Sequence, residues 1–114
     1  MSASESMEER ARRVGHNEAI FRELNERIQR VGAITHAEAP EIVCECGDID
    51  CVERFTITTA EYEALRAEPD RFAVRPGHVA DDVERCVDDR GEYIVVAKRP
   101  GTPAAVAQQT DPRS

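Results

Sequence analysis

Three cysteines crowded into Cys44-Glu-Cys46-Gly-Asp-Ile-Asp-Cys51 constrain this chain more than any other feature. Glu41 to Cys46 reads as a strand, Gly47-Asp48-Ile49-Asp50 as a turn, and Cys51 to Thr58 as the returning strand. In the second strand Phe55 and Ile57 alternate with Arg54, Thr56 and Thr58, the half-buried pattern. Residues two apart on a strand face one side, so Cys44 and Cys46 project together while Glu45 points away. Gly47 lets the chain turn sharply, and Cys51 comes back across the turn to join them. Neighbours on one strand face are poorly placed for a mutual disulfide, which needs a specific Cβ geometry. Three soft ligands on a turn are what a tetrahedral zinc ion asks for, and one Zn2+ is the expected cofactor. Disulfides, free thiols and an iron–sulfur cluster are the alternatives, the last normally using four cysteines at other spacings.

The fourth ligand must come from elsewhere in the chain. His78 follows Pro76-Gly77 in an exposed turn, where a side chain is free to reach outward. Cys86 lies beside Val83 and Val87 in what reads as a short helix capped by Asp81 or Asp82, a place for a small buried hydrophobe. His78 is preferred because its position has no packing explanation. His16 and His36 read as solvent-exposed. Four protein ligands leave the metal no open position, which makes the site structural, whereas a catalytic zinc keeps one for water. Glu45, Asp48 and Asp50 read as solvated turn residues rather than a general base. Oxidation of the thiolates would release the ion, so a redox switch is the first rival reading.

The rest of the chain suits a metal staple. At 114 residues it is one small domain with a thin core, with aromatics at 4% and no tryptophan. A net charge of −8 argues against a phosphate-backbone binder and against docking on an anionic membrane. No apolar run approaches the roughly 20 residues that span a bilayer. Met1 to Ser6 lack the basic and apolar regions of a signal peptide, so a cytoplasmic location is expected. There closely spaced cysteines bind metal more often than they form disulfides.

Along the chain, residues 1–14 are expected to be a flexible or frayed helical terminus, with Ser6 and Glu9 as a capping box and a stripe of Met7, Ala11 and Val14 that Gly15 interrupts. A firm helix follows from near Asn17 to Val31. Ile20, Phe21, Leu24, Ile28 and Val31 make its apolar face, expected to pack on the protein's own sheet. The alternative is a homodimer or partner contact through that helix, with Asn25 fixing register. Glu18–Arg22 and Glu23–Arg27 are spaced for ion pairs, and Gly32 for a stop. Residues 33–40 connect to the hairpin.

After it, Thr58 and Glu61 cap a helix from Thr59 to about Ala67 that turns Tyr62 and Leu65 inward and ends at Pro69. Phe72–Val74 is a short strand and Tyr93–Ala97 a central one. Arg66, Arg71 and Arg75, alternating with Glu68 and Asp70, read as a solvated face. The domain proper is expected at 15–98, α+β, with an N-terminal amphipathic helix, a small mainly antiparallel sheet and short helices. Residues 99–114 are expected to be a disordered tail.

No glycine-rich phosphate loop, nucleophile elbow or H-E-x-x-H occurs, so no catalytic residue is assigned and the protein is not expected to be an enzyme. The segments Asn17–Ile28, Cys44-Glu-Cys46 with Cys51, Glu61–Arg66, Arg71–His78 and Tyr93–Lys98 resemble a group of small bacterial proteins, mainly actinobacterial, over roughly residues 14–98. The resemblance implies a metal site on Cys44, Cys46, Cys51 and His78, with Cys86 outside it, and implies no established activity. The expected function is a zinc-stabilised interaction or regulatory module with a protein partner. A redox- or metal-responsive regulator, and an enzyme whose zinc is incompletely coordinated, are the alternatives.

Overall fold

A computed structural model describes residues 5–35 and 39–113. Its first element, α1 (Met7–Thr35), runs unbroken through Gly15. The expectation of a flexible or frayed helical segment at 1–14 is therefore corrected for residues 7–14, residues 1–4 lying outside those described, and so is the expectation of a helix starting near Asn17. Ser6 Oγ accepts from the Glu9 amide at 3.0 Å and caps the helix. Gly15 is there for close approach: a Cβ on it would lie 2.8 Å from a Val106 methyl.

The inward face of α1 is also a correction. The side chains of Ala11, Glu18, Arg22, Asn25 and Gln29 are buried, together with Gly15 and Gly32, while Ile20, Leu24 and Val31 are exposed. Polar groups can face inward because partners far along the chain meet them. Lys98 Nζ donates to Glu18 at 2.5 Å. Arg22 donates to the carbonyls of Pro69 and Ala107 and lies over the Phe72 ring. Neither expected pair, Glu18–Arg22 or Glu23–Arg27, forms among the described residues; Glu18 and Arg22 are held by these other partners.

Two antiparallel sheets follow, and the α+β class holds. β1 (Glu41–Val43) pairs with β2 (Arg54–Thr56), setting Ile42 opposite Phe55. β3 (Arg71–Val74), β4 (Glu84–Asp89) and β5 (Ile94–Lys98) form the second sheet, with β5 in the middle as its run of β-branched residues predicts. Between the sheets in sequence comes α2 (Thr59–Arg66), whose capping box forms on both sides: Glu61 N donates to Thr58 Oγ1, and Thr58 N donates to Glu61 Oε1. Phe55 and Tyr93 stack with centroids 4.9 Å apart and join the sheets. Ile42, Ile57, Tyr62, Phe72, Val74 and Val96 form the centre of the core.

Two further expectations change. Val83 to Val87 is not helical: β4 pairs with β5, with an irregularity between Cys86 and Asp88, and this leaves Cys86 exposed rather than in the core. The tail is ordered where disorder was expected. α3 (Thr102–Gln109) buries Val106 and Ala107, Val106 against Gly15 of α1. Burial supplies what its local composition does not advertise.

Candidate metal centre

The site sits where the two sheets meet. Strand β1 ends at Val43, and the chain continues alongside β3, with Glu45 N donating to the Ala73 carbonyl at 2.9 Å. The extended run keeps Cys44 and Cys46 on one side and buries both. The return is shaped by Asp48, whose carboxylate accepts from Asp50 N at 3.0 Å and whose carbonyl accepts from Cys51 N at 3.0 Å. Gly47 does not supply a left-handed turn. Its lack of a side chain lets the loop touch α1, since a Cβ there would lie 2.5 Å from a Val14 methyl.

The fourth side chain is delivered by a turn after β3. Pro76 and Gly77 occupy its centre, Gly77 at φ 87°, and His78 N donates to the Arg75 carbonyl at 3.0 Å. That is a type II turn, which needs positive φ at its third residue. It aims the imidazole at the hairpin. His78 Nδ1 lies 3.6 Å from Cys44 Sγ and 3.6 Å from Cys51 Sγ. All four ligand atoms of Cys44, Cys46, Cys51 and His78 lie within 4.8 Å of one another. Zinc bonds of ordinary length, set at the tetrahedral angle, put a nitrogen and a sulfur about 3.6 Å apart. The donor set and its spacing can therefore hold one metal ion.

The surroundings act unequally on the three thiols. Arg75 N lies 3.2 Å from Cys44 Sγ and donates to it. The hydrogen bond with Cys46, then burial, pushes the Cys44 thiol up, whereas the same hydrogen bond brings Cys46 down to about 5. Burial raises Cys51. Cys46 and His78 also line a groove of about 500 Å3 with Arg10, Arg13 and Asp48, so the site is reached from solvent on one side.

Cys86 is not in the group, and His16 is exposed. His36 lies outside the described residues. Asp48 and Asp50 are exposed as expected, but Glu45 is not: it is fully buried, and Arg66 with it. Arg66 donates to Glu45 Oε1 at 2.6 Å, Ala73 N donates to the same oxygen at 3.0 Å, and Asn25 donates to Oε2 at 2.8 Å. Asn25, considered above as a register residue between helices, instead bonds both the N–H and the C=O of Val43 and pins β1 to α1. Alternation puts Glu45 opposite the two thiols, and it is the packing of Asn25 and Arg66 on that side that makes it interior.

Comparison with known protein families, with curated proteins and with solved structures finds no match to this chain. Among the described residues, no helix is long and apolar enough to cross a membrane.

Proposed function

We propose that this is a cytoplasmic, non-enzymatic domain stapled by one structural zinc ion on Cys44, Cys46, Cys51 and His78, which works as an interaction or regulatory module for a protein partner. The single observation that carries the zinc reading is the position of His78 Nδ1, equally distant from two thiols at a tetrahedral edge length. Three thiolates with one imidazole form a soft donor set that suits zinc over calcium or magnesium. Four protein ligands leave no coordination site for a reacting water, which supports a structural role. The ion would tie the β1–β2 hairpin to the turn after β3 and so lock one sheet to the other.

Elemental analysis of protein purified without added metal tests this reading. One zinc per chain, with X-ray absorption showing three sulfurs and one nitrogen, is the expected result. A site with an oxygen ligand, or iron in place of zinc, would overturn it. The groove beside Cys46 and His78 and the partial exposure of Cys51 favour a second reading, a redox-responsive regulator. A hydroperoxide would take two electrons from a pair of thiolates, forming their disulfide and releasing the ion, while its O–O bond breaks and two protons from solvent complete the water and the alcohol. Stoichiometric zinc release by peroxide, reversed by a thiol reductant, supports that reading, and retention of the metal removes it.

A further inference from the structure

The apolar residues left outside on α1 form a pattern. Ile20, Leu24, Arg27, Val31 and Ile34 recur at alternating steps of four and three, the seam of a coiled coil. The four apolar ones are 55%, 42%, 59% and 78% exposed. Phe21 and Ile28, half-buried, run along one flank of this seam, and Glu23 and Arg30, exposed, along the other. Among the described residues the side chains of Glu23, Arg27 and Arg30 have no ion-pair or hydrogen-bond partner within the chain. Contiguous apolar surface of this kind, rimmed by unpaired charge, marks an interaction site.

Charge selects the occupant. In a parallel pair of these helices, Arg27 of each copy meets its own equivalent in one layer, and Glu23 faces Ile28 with no charge satisfied. In an antiparallel pair, one register places Ile20 against Val31 and Leu24 against the aliphatic stem of Arg27. That register sets Glu23 of each copy opposite Arg30 of the other, twice by symmetry, and Phe21 opposite Ile28 on the far flank. Sliding by one heptad brings Glu23 against Glu23, or Arg30 against Arg30. We infer that α1 is the self-complementary seam of an antiparallel homodimer, an isologous contact in which a second copy covers the exposed stripe. The inference goes beyond the metal reading and rests on different residues.

Sedimentation velocity on the full zinc-loaded chain over a range of concentrations tests it. A concentration-dependent dimer is expected. Glu23→Arg and Arg30→Glu should each weaken it by about tenfold or more, since each sets like charges face to face. The double variant E23R/R30E restores the pairs and should restore the dimer. All the altered positions are exposed, so metal content and helical circular dichroism should stay as in the parent chain. A chain that remains monomeric at every concentration overturns the inference. So does a dimer indifferent to the single reversals, or a double variant no tighter than the singles.

Discussion

Glu45→Gln tests whether the residue between two cysteines holds the metal centre in place. The carboxylate is fully buried, and its three hydrogen bonds come from Arg66, Ala73 N and Asn25. Glutamine keeps the shape but supplies one acceptor and one donor in place of two acceptors. Asn25 cannot flip to compensate, because its oxygen accepts from Val43 N while its nitrogen donates to Val43 O. One orientation of the new amide therefore sets a donor against Asn25, and the other sets it against Arg66 and Ala73 N. Arg66, its side chain 2% exposed, also loses its counter-charge.

Breaking a buried pair by removing one partner costs about 3–5 kcal/mol. For a domain of this size that is roughly 10–20 °C in Tm. Glu45 lies between Cys44 and Cys46, so under the zinc reading the strain should reach the site and lower metal affinity by about tenfold, the low end of what losing a direct partner of a ligand costs. Thermal unfolding of the zinc-loaded protein and competition with a chromophoric chelator read the two effects. Glu53→Gln, exposed on the same hairpin, serves as the control and should stay within about 0.5 kcal/mol of the parent. A Glu45→Gln chain that loses less than about 1 kcal/mol and binds zinc as tightly as the parent would refute the reasoning.

Lys98→Met should cost about 3–5 kcal/mol at neutral pH, because Nζ serves the buried carboxylates of Glu18 at 2.5 Å and Glu84 at 2.9 Å. Burial, then Glu84, already holds Glu18 well above its ordinary 4.5, so its stabilising contribution is complete below that value and is lost as pH rises through the folded one. Without the cation Glu18 rises further, and urea titrations should show the deficit shrinking toward acid pH by up to about 1.4 kcal/mol per unit; a deficit independent of pH would count against this. Gly47→Ala should cost about 1–3 kcal/mol through its clash with Val14, and adding Val14→Ala should recover part of that loss, giving a non-additive cycle in chemical denaturation.

What could be read from the sequence was local. Thr58 and Glu61 announce α2 three residues apart, and the Val-rich run before Lys98 announces a central strand. Cys44, Cys46 and Cys51 are gathered by one hairpin, and the Pro-Gly before His78 is a turn signal in itself. What could not be read depended on partners far away. The inward face of α1 looks polar because Glu18 meets Lys98 and Arg22 meets Ala107, contacts that no helical periodicity displays. Arg66 looked solvated because it alternates with Glu68 and Asp70, while its actual partner, Glu45, lies 21 residues back on another element. Gly15 looked like a break because Val106, which needs the notch, lies in a segment of small residues without apolar periodicity. Cys86 and its neighbours fit a helix as well as an edge strand, and only pairing with β5 decides between them.

The buried charges bear on what a metal would add to this fold. Glu18, Arg22, Glu45, Arg66, Glu84 and Lys98 are all buried in a chain with aromatics at only 4%. Taking such groups out of water costs several kcal/mol per ion, and their mutual attraction often no more than offsets it. The pairs thus fix which surface of α1 and which register of β1 are native, while adding little net stability. Apolar burial must supply the rest, yet α1 leaves Ile20, Leu24, Val31 and Ile34 outside it. In a core that small, with so much polar cost inside it, a further favourable term would add to a narrow margin. Zinc binding to three thiolates and an imidazole is coupled to folding and is large enough to be that term. Under the zinc reading, then, the ion and the charge network divide the work: the network selects the arrangement, and the ion makes it stable.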